Sequence, residues 1–314
     1  MSCKQISLIS NKHDATKVSL FKKMNRLTIN FLIAPMLVLL TFMSVLTETQ
    51  SPIAIPNRII SIVPAVTEIL FAIGAGPQVV AVSSFDRTKE ALSKPRVGGL
   101  LDPNIERVLA LRPDLVILYE SQVDQQIQLK RAEIPVLMYQ HGGLSDVTPM
   151  IRKLGKQTGH IAQAQKVATQ IERELENIRQ RVKNLTPPRT LLVFGREPYA
   201  IKNVYASGGI GFLHDMLETA GGENVFGDLL REAAHPTSEM ILAIEPEVII
   251  ELQVQGTTEN QFSSETKAWN RFSTIPAVRS DRVHVLTGSE LVIPGPRVAE
   301  VTRRLATLLH PKAF

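Results

Sequence analysis

The chain has 314 residues, which is enough for two medium-sized α/β lobes or one large α/β domain. Hydrophobic residues make up 44% and charged residues 21% of the chain, a balance that excludes wholesale disorder. The net charge is +5, but the first 26 residues hold six basic side chains and one acidic side chain, so the remainder is close to neutral and gives little support for nucleic-acid binding.

The N-terminal residues 1–50 have the pattern of a basic leader followed by an export signal. Lys22, Lys23 and Arg26 precede a mostly apolar run without charge at residues 27–46. The run suits either a cleaved signal or a retained membrane anchor. Met24 is an alternative start to Met1. Both alternatives predict that the remaining chain lies outside the cytoplasm.

Cysteine chemistry is excluded from the rest of the chain. The only cysteine is Cys3, so no intrachain disulfide, cysteine-based zinc site or cysteine nucleophile is available. No cysteine follows the apolar run, so a lipoprotein anchor is not supported.

Residues 57–150 alternate between apolar runs and helical patterns, which predicts an N-terminal lobe of parallel strands with helical crossovers. A helix is expected after Pro64 with Gly74 as its C-cap, and another from Pro103 or Asn104. A third helix is expected over residues 122–133. The predicted strands, rich in Ile, Val and Leu, lie at residues 58–63, 78–84, 114–119 and 134–139.

From about residue 148 to residue 184 the pattern is purely helical. Apolar residues recur at spacings of three and four, which predicts one amphipathic helix of 25 residues or more, roughly 37 Å long. We place it at 151–185, as a link to a C-terminal α/β lobe at 186–314. The residues of the stripe are Val167, Ile171, Leu175, Ile178 and Val182.

The two halves share a loop–helix–strand unit. "PNIERVLALRPDLVIL" and "PTSEMILAIEPEVIIE" each contain a capping loop, a glutamate, an apolar helical turn, a proline and an apolar strand. Glu106 lies seven residues before Pro113, and Glu239 lies seven residues before Pro246. The simplest architecture is two α/β lobes with mostly parallel central sheets, joined by one long helix.

Four stretches, taken together, resemble a known family. They are "NRIISIVPAVTEILFAIGAGPQVVAVSSF", "VGGLLDPNIERVLALRPDLVIL", "YASGGIGFLHDMLETAGGENVFGD" and "TSEMILAIEPEVIIE". They resemble the periplasmic substrate-binding proteins of bacterial ABC importers for vitamin B12, iron-siderophores and haem, and the vitamin B12-binding branch looks closest. The resemblance implies the helical-backbone class, with a rigid linking helix and a ligand cleft between the lobes.

The resemblance also implies partners and a location. Such a protein is a periplasmic monomer without enzymatic activity that delivers its ligand to an inner-membrane permease with a cytoplasmic ATPase. One glutamate on each lobe docks onto arginines of the permease, and the matching positions are Glu106 and Glu239. The alternative is that both are first-turn glutamates favoured by the helix dipole.

Loops at the strand ends are expected to line the cleft. Phe85 and Phe194 keep the aromatic character that the vitamin B12 branch uses to stack on its ligand, whereas Leu100 and His235 stand where aromatic residues are expected. The candidates are Pro64, Ala65, Thr67, Phe85, Arg87, Gly99, Leu100, Phe194, Arg196, Tyr199, His235 and Arg297.

The expected ligand is cobalamin or another corrinoid. A ferric siderophore is the alternative, because the candidate arginines suit an anion. Haem is less favoured, because the loop "GGLLD" lacks the axial tyrosine of many haem-binding members. No cofactor or protein-only metal site is expected, but His235 is a candidate axial ligand to a bound chelate. The histidines expected to be structural or surface residues are His141, His160, His214 and His284.

Two other classes of protein remain open. The sequence has no G-x-S-x-G, H-E-x-x-H, P-loop or G-x-G-x-x-G motif, which disfavours an enzyme. A membrane-anchored structural or signalling module would fit a retained N-terminal anchor, but it would leave the paired glutamate units unexplained.

Overall fold

The N-terminal lobe is built on a parallel sheet, as the alternating pattern predicts. The computed structural model describes residues 55–254 and 267–314, and its first sheet has the strand order β2-β1-β3-β4. Helices cover the sheet, so β1 is buried throughout and β3 nearly so. The strands are β1 (Ile59–Ser61), β2 (Val79–Val82), β3 (Leu115–Tyr119) and β4 (Val136–Tyr139), and the crossover helices are α1 (Pro64–Ala72), α2 (Ile105–Ala110) and α3 (Val123–Arg131).

The helical stretch forms two helices, where the sequence predicted one. They are α4 (Val147–Thr158) and α5 (Ile161–Val182), and they fold back on each other so that Arg152 in α4 donates two hydrogen bonds to Glu172 in α5. Gly159 has φ 78°, a left-handed conformation that ends α4. The apolar periodicity runs through this break because both helices bury one face, so periodicity alone did not reveal the turn.

Helix α5 links the two lobes. Its first half packs on α4, and its second half contacts the C-terminal lobe, where Glu174 pairs with Arg303. The helix is 22 residues long, roughly 33 Å. One apolar core cluster includes the buried face of α5 and residues of both lobes. The linking helix is therefore confirmed, although it begins at Ile161, and the proposed domain limits at 150 and 186 stay predictions.

The C-terminal lobe contains a mixed sheet with the strand order β10-β9-β5-β6-β8, and β7 pairs with β5. β7, β9 and β10 pair in parallel, whereas β6 runs in the opposite direction and pairs antiparallel with both β5 and β8. The sequence reading missed β6, β7 and β8 because two or three residues cannot show an alternation. The elements are β5 (Arg189–Gly195), β6 (Tyr205–Ser207), α6 (Phe212–Thr219), β7 (Glu223–Asn224), β8 (Ala233–Ala234), α7 (Ser238–Ile244), β9 (Val248–Gln253), α8 (Pro276–Arg279), β10 (Val283–Thr287) and α9 (Val298–Leu309).

The repeated unit folds in the same way in both lobes. At the start of β1, the Arg58 guanidinium donates to the carbonyl of Leu111 at 2.7 Å, just after α2. At the start of β5, the Arg189 guanidinium donates to the carbonyl of Ile244 at 2.8 Å, at the end of α7. The same clamp therefore fixes both glutamate-bearing helices against their sheets.

The export signal, with its basic flank and Cys3, lies outside the described residues. Within residues 55–254 and 267–314, each helix is too short or too polar to cross a bilayer.

Candidate ligand-binding cleft

A cavity of 870 Å³ lies between the lobes. Its walls come from the carboxyl ends of strands: Pro64 follows β1, Phe85 and Arg87 follow β2, and Thr287 ends β10. A second cavity of 320 Å³ shares His141 and Val292 with it and continues the cleft toward α6. The larger volume is within the usual range for small-molecule sites, and strand ends are where α/β folds bind ligands.

The loop that carries Phe85 and Arg87 is held firmly at its base. The Asp86 carboxylate accepts a hydrogen bond from the Ser83 amide at 2.8 Å, and Arg96 donates to the carbonyls of Ser83 and Asp86. The Phe85 ring remains 59% exposed. The loop therefore presents an aromatic face and a cation to the cavity from a fixed backbone.

Aromatic side chains form a row along the cleft. Tyr119 packs edge-on to Tyr139, with their ring centroids 5.9 Å apart. Tyr139 packs edge-on to His141, which packs edge-on to Phe212 of the other lobe. Burial raises the pKa of Tyr119 to about 12 and raises the pKa of Tyr139 further, so both phenols are neutral at physiological pH.

Five of the predicted cleft residues line these cavities. Pro64, Ala65, Phe85 and Arg87 line the larger cavity, and Phe194 lines the smaller one. These positions were inferred from the strand ends, and the geometry is compatible with contact to a ligand.

Two predicted cleft residues are instead part of the protein framework. Thr67 is fully buried, and its hydroxyl lies within hydrogen-bond distance of the Val63 carbonyl and of the Asp86 carboxylate. The Arg196 side chain is 5% exposed and forms an ion pair with Glu251, which also accepts from the indole of Trp269. We therefore correct their assignment to the cleft wall.

Arg297 connects the lobes. Its guanidinium donates to Glu68 of α1 at 2.7 Å and to Glu290 at 3.1 Å. Both carboxylates are largely buried, and the arginine is 36% exposed. These contacts engage Arg297 in an ion-pair bridge, and it lines neither cavity of the cleft, so its contact with a ligand stays a prediction.

The remaining predicted residues lie at or beyond the edge of the cleft. Gly99 lies under Phe85, where a Cβ would come within 2.4 Å of the ring. Leu100 is 41% exposed, and its carbonyl accepts from Gln122. Tyr199 is exposed in the turn after β5. His235 lines a separate 420 Å³ cavity in the C-terminal lobe.

The sequence reading missed several cleft residues. Tyr119, Tyr139 and His141 line the larger cavity, as do Gly288 and Ile293 from the other lobe. Position at the end of a strand was the available signal, because Tyr119 ends β3 and Tyr139 ends β4. Within residues 55–254 and 267–314, no group of three or more His, Cys, Asp or Glu residues could hold a metal ion.

Glu106 and Glu239 occupy equivalent, exposed positions, each as the second residue of its helix. Asn104 caps α2 by accepting from the amide three residues on, and Thr237 caps α7 in the same way. Hydrogen bonds from its own amide and from Thr237 lower the pKa of Glu239, so it is ionised at neutral pH.

These features define a class of protein: two α/β lobes on a linking helix, with an aromatic cleft at the strand ends. The sequence matches the family of periplasmic binding proteins over residues 59–289. The chain therefore belongs to this family of solute-binding transport proteins.

Individual relatives support the same family. The chain is 28% identical over 264 residues to an uncharacterized ABC transporter substrate-binding lipoprotein, YvrC, of Bacillus subtilis, and the match covers 82% of each protein. It is 29% identical over 212 residues to a vitamin B12-binding protein of Yersinia pestis, covering 67% of this chain and 74% of that protein.

A solved structure is also similar. It is the periplasmic vitamin B12-binding protein BtuF of Vibrio cholerae, which has a TM-score of 0.69 and 25% sequence identity. The match covers 81% of this chain and 96% of that one. The two-lobed α/β fold predicted from the sequence is thereby confirmed.

Proposed function

We propose that the protein is an extracytoplasmic carrier that binds a corrinoid such as cobalamin between its lobes and delivers it to an ABC permease. The observation that carries this proposal is the composition of the cleft. Both lobes contribute aromatic or aliphatic walls, and Arg87 is the only Lys, Arg, Asp or Glu among the described residues that line the larger cavity. Such a surface suits a large and mostly neutral macrocycle.

A ferric siderophore is the second candidate, and Arg87 is the observation that favours it. A guanidinium at the wall of the cavity would pair with an anionic chelate. The cation lies among apolar and aromatic residues, and Arg196 and Arg297 are engaged by carboxylates. A multiply charged anion would therefore find fewer positive charges to pair with than the sequence suggested. Haem stays a third candidate.

The location and the partner are parts of the same proposal. The basic leader and apolar run support export, and the relatives include an ABC transporter substrate-binding lipoprotein. Glu106 and Glu239 would then contact the permease, and the lobes would hold the ligand without changing it chemically.

Equilibrium dialysis against cyanocobalamin, ferric siderophores and haemin tests the function. We expect one cyanocobalamin per protein, recovered chemically unchanged. Phe85→Ala should weaken binding by about three- to tenfold, because one aromatic contact is lost, whereas Leu92→Ala, at an exposed site outside the described cavity walls, should not. If none of the three classes binds, the metal-chelate proposal is wrong.

A further inference from the structure

One ion pair joins the two walls of the cleft from behind. The Arg297 guanidinium contacts the Glu68 carboxylate twice: its Nη2 donates to Oε1 at 2.7 Å, and its Nε donates to Oε2 at 3.2 Å. Glu68 lies in α1 of the N-terminal lobe, and Arg297 lies at the start of α9 in the C-terminal lobe. A two-pronged contact between a guanidinium and a carboxylate fixes orientation as well as distance. The pair therefore restrains one lobe against the other in more than one direction.

Each member of the pair lies close behind a residue of the cavity wall. Ala65 lines the 870 Å³ cavity and precedes Glu68 by about one turn of α1. Pro294 lines the same cavity from the other lobe and comes shortly before Arg297 in the chain. Neither Glu68 nor Arg297 belongs to the described walls of this cavity. A change in the pair would therefore move the walls without removing a side chain from them.

The same network of charges holds the C-terminal wall. Glu290 accepts from Arg297 at 3.1 Å and from Arg304 of α9 at 2.8 Å, and Arg304 also donates to the carbonyl of Thr287 at 3.1 Å. The segment 287–294 is thus tied to α9 at its start and in its middle. Its residues that line the larger cavity are Thr287, Gly288, Ser289, Val292, Ile293 and Pro294.

The Glu68 carboxylate depends on Arg297 for its charge compensation. Its side chain is 5% exposed, and Arg297 is the only side chain among the described residues that donates to it. The backbone of the other lobe also comes close, since a Cβ on Gly295 would lie 3.2 Å from Oε2 of Glu68. A small widening of the cleft would separate the guanidinium from a carboxylate that is still shielded from water. Such a loss of one partner is strongly unfavourable.

We propose that Glu68 and Arg297 form a latch that holds the two walls of the cleft at one separation before a ligand arrives. Both are positioning residues, because they act on a ligand through Ala65 and the segment 287–294. When the width is set in advance, binding orders fewer groups, and release requires the latch to open. The effect on a ligand rests on the proposed function, whereas the separation of the walls does not.

Spin-label distances in the ligand-free full chain test the latch. Gln128→Cys in α3 and Ala243→Cys in α7 place one nitroxide at an exposed helical position of each lobe, in a Cys3→Ser background. Double electron–electron resonance should give one narrow distance distribution when the latch is intact. Glu68→Gln, which keeps the shape of the side chain and removes its charge, should broaden this distribution and shift its maximum.

A matched control removes a similar ion pair elsewhere. Glu172 also receives a two-pronged contact, from Arg152, but this pair joins α4 to α5 rather than one cleft wall to the other. Glu172→Gln should therefore leave the distance distribution unchanged.

Stopped-flow release of cyanocobalamin measures the consequence for a ligand. Glu68→Gln should speed dissociation by about tenfold and change association by less than about threefold. Arg297→Lys, which keeps the charge but loses the two-pronged contact, should give a smaller increase. The double variant Glu68→Leu and Arg297→Met replaces both charges by apolar groups, so it leaves no lone buried charge to unfold the protein. It should show the broadened distances and the fast release.

The outcomes separate the latch from the proposed function. Unchanged distances in both Glu68→Gln and the apolar double variant overturn the latch, and would mean that α5 and apolar packing alone set the width of the cleft. A lower free energy of unfolding with unchanged distances and release rates overturns it equally, because the pair would then be only structural. If the wild-type protein binds no cyanocobalamin, the proposed function fails for this ligand, and the spin-label distances alone decide the latch.

Discussion

At the scale of single residues, Asp86 is a buried carboxyl directly behind the cleft wall. It is 1% exposed; its Oδ2 accepts from the Ser83 amide and the Thr67 hydroxyl, and Oδ1 has no partner among the described residues. Burial raises the pKa of Asp86 from 3.8 to about 7, and the charge of Glu68 adds to this, although Thr67, Ser83 and Arg96 oppose it. We therefore expect Asp86 to make the loop of Phe85 and Arg87 sensitive to pH.

The sign of the pH effect follows from the two protonation states. Between about pH 4 and pH 7 the folded protein retains a proton on Asp86 that the unfolded chain releases, so the free energy of unfolding falls as pH rises. Asp86→Asn mimics the protonated acid. We expect it to remove this dependence and to be more stable than wild type at pH 8 by roughly 2–4 kcal/mol.

Urea denaturation at pH 5 and pH 8 measures the effect. Asp228→Asn, which alters an exposed carboxylate, should keep the wild-type dependence. The prediction would be contradicted if Asp86→Asn had a lower free energy of unfolding than wild type by the same amount at both pH values. The folded protein would then need the ionised form of Asp86.

At the scale of elements, α4 and α5 approach closely because Gly155 has no side chain. A Cβ on Gly155 would lie 2.3 Å from the Cβ of Ala164. Gly155→Ala should therefore push the helices apart and lower the free energy of unfolding by about 1–3 kcal/mol. Adding Ala164→Gly should recover part of this loss, since it removes the opposing methyl group.

A double-mutant cycle followed by chemical denaturation measures the coupling between these two positions, with the single Ala164→Gly variant as its control. Additive effects of the two substitutions would show that the helices tolerate the extra methyl group without contact, contrary to the expectation.

The elements that could be predicted have local patterns. β3 is a run of apolar residues, and α7 has a cap at Thr237 followed by an apolar turn. The break at Gly159 was not predictable from periodicity, because α4 and α5 bury continuous faces. Neither were β6 and β8, which depend on pairing between distant short segments.

The cleft was predictable only in part, for a similar reason. Phe85 follows a strand, and it lines the larger cavity, while its contact with a ligand stays a prediction. Arg196 and Arg297 also lie near strand ends or loops, but distant carboxylates bind them. His141 looked isolated in the sequence. Its place in the aromatic row of the cleft depends on an edge-on contact with Phe212 of the other lobe. Residue type and local position do not encode such long-range contacts.

At the scale of the whole molecule, the two lobes carry one common unit each. Both glutamates follow a capped helix start, and both helices are clamped by an arginine at the start of a neighbouring strand. Two fixed carboxylates on separate lobes can define how the carrier sits on a partner, because each charge pair gives register and steering more than affinity. This supports the proposed role of Glu106 and Glu239 in permease docking.

The docking proposal predicts that transport and ligand binding can be separated. The double variant Glu106→Arg and Glu239→Arg should abolish uptake in cells that depend on this carrier, because each lobe would then present a like charge to a permease arginine. Its affinity for the ligand should be unchanged, since neither glutamate lines the inter-lobe cavities described here. Radiolabelled uptake and equilibrium dialysis measure the two properties. Glu223→Arg, a single charge reversal at another exposed site of the C-terminal lobe, is the control for each single reversal. Unaltered uptake in the double variant would contradict the docking role. The two glutamates would then be explained only by the favourable interaction of a first-turn carboxylate with the helix dipole.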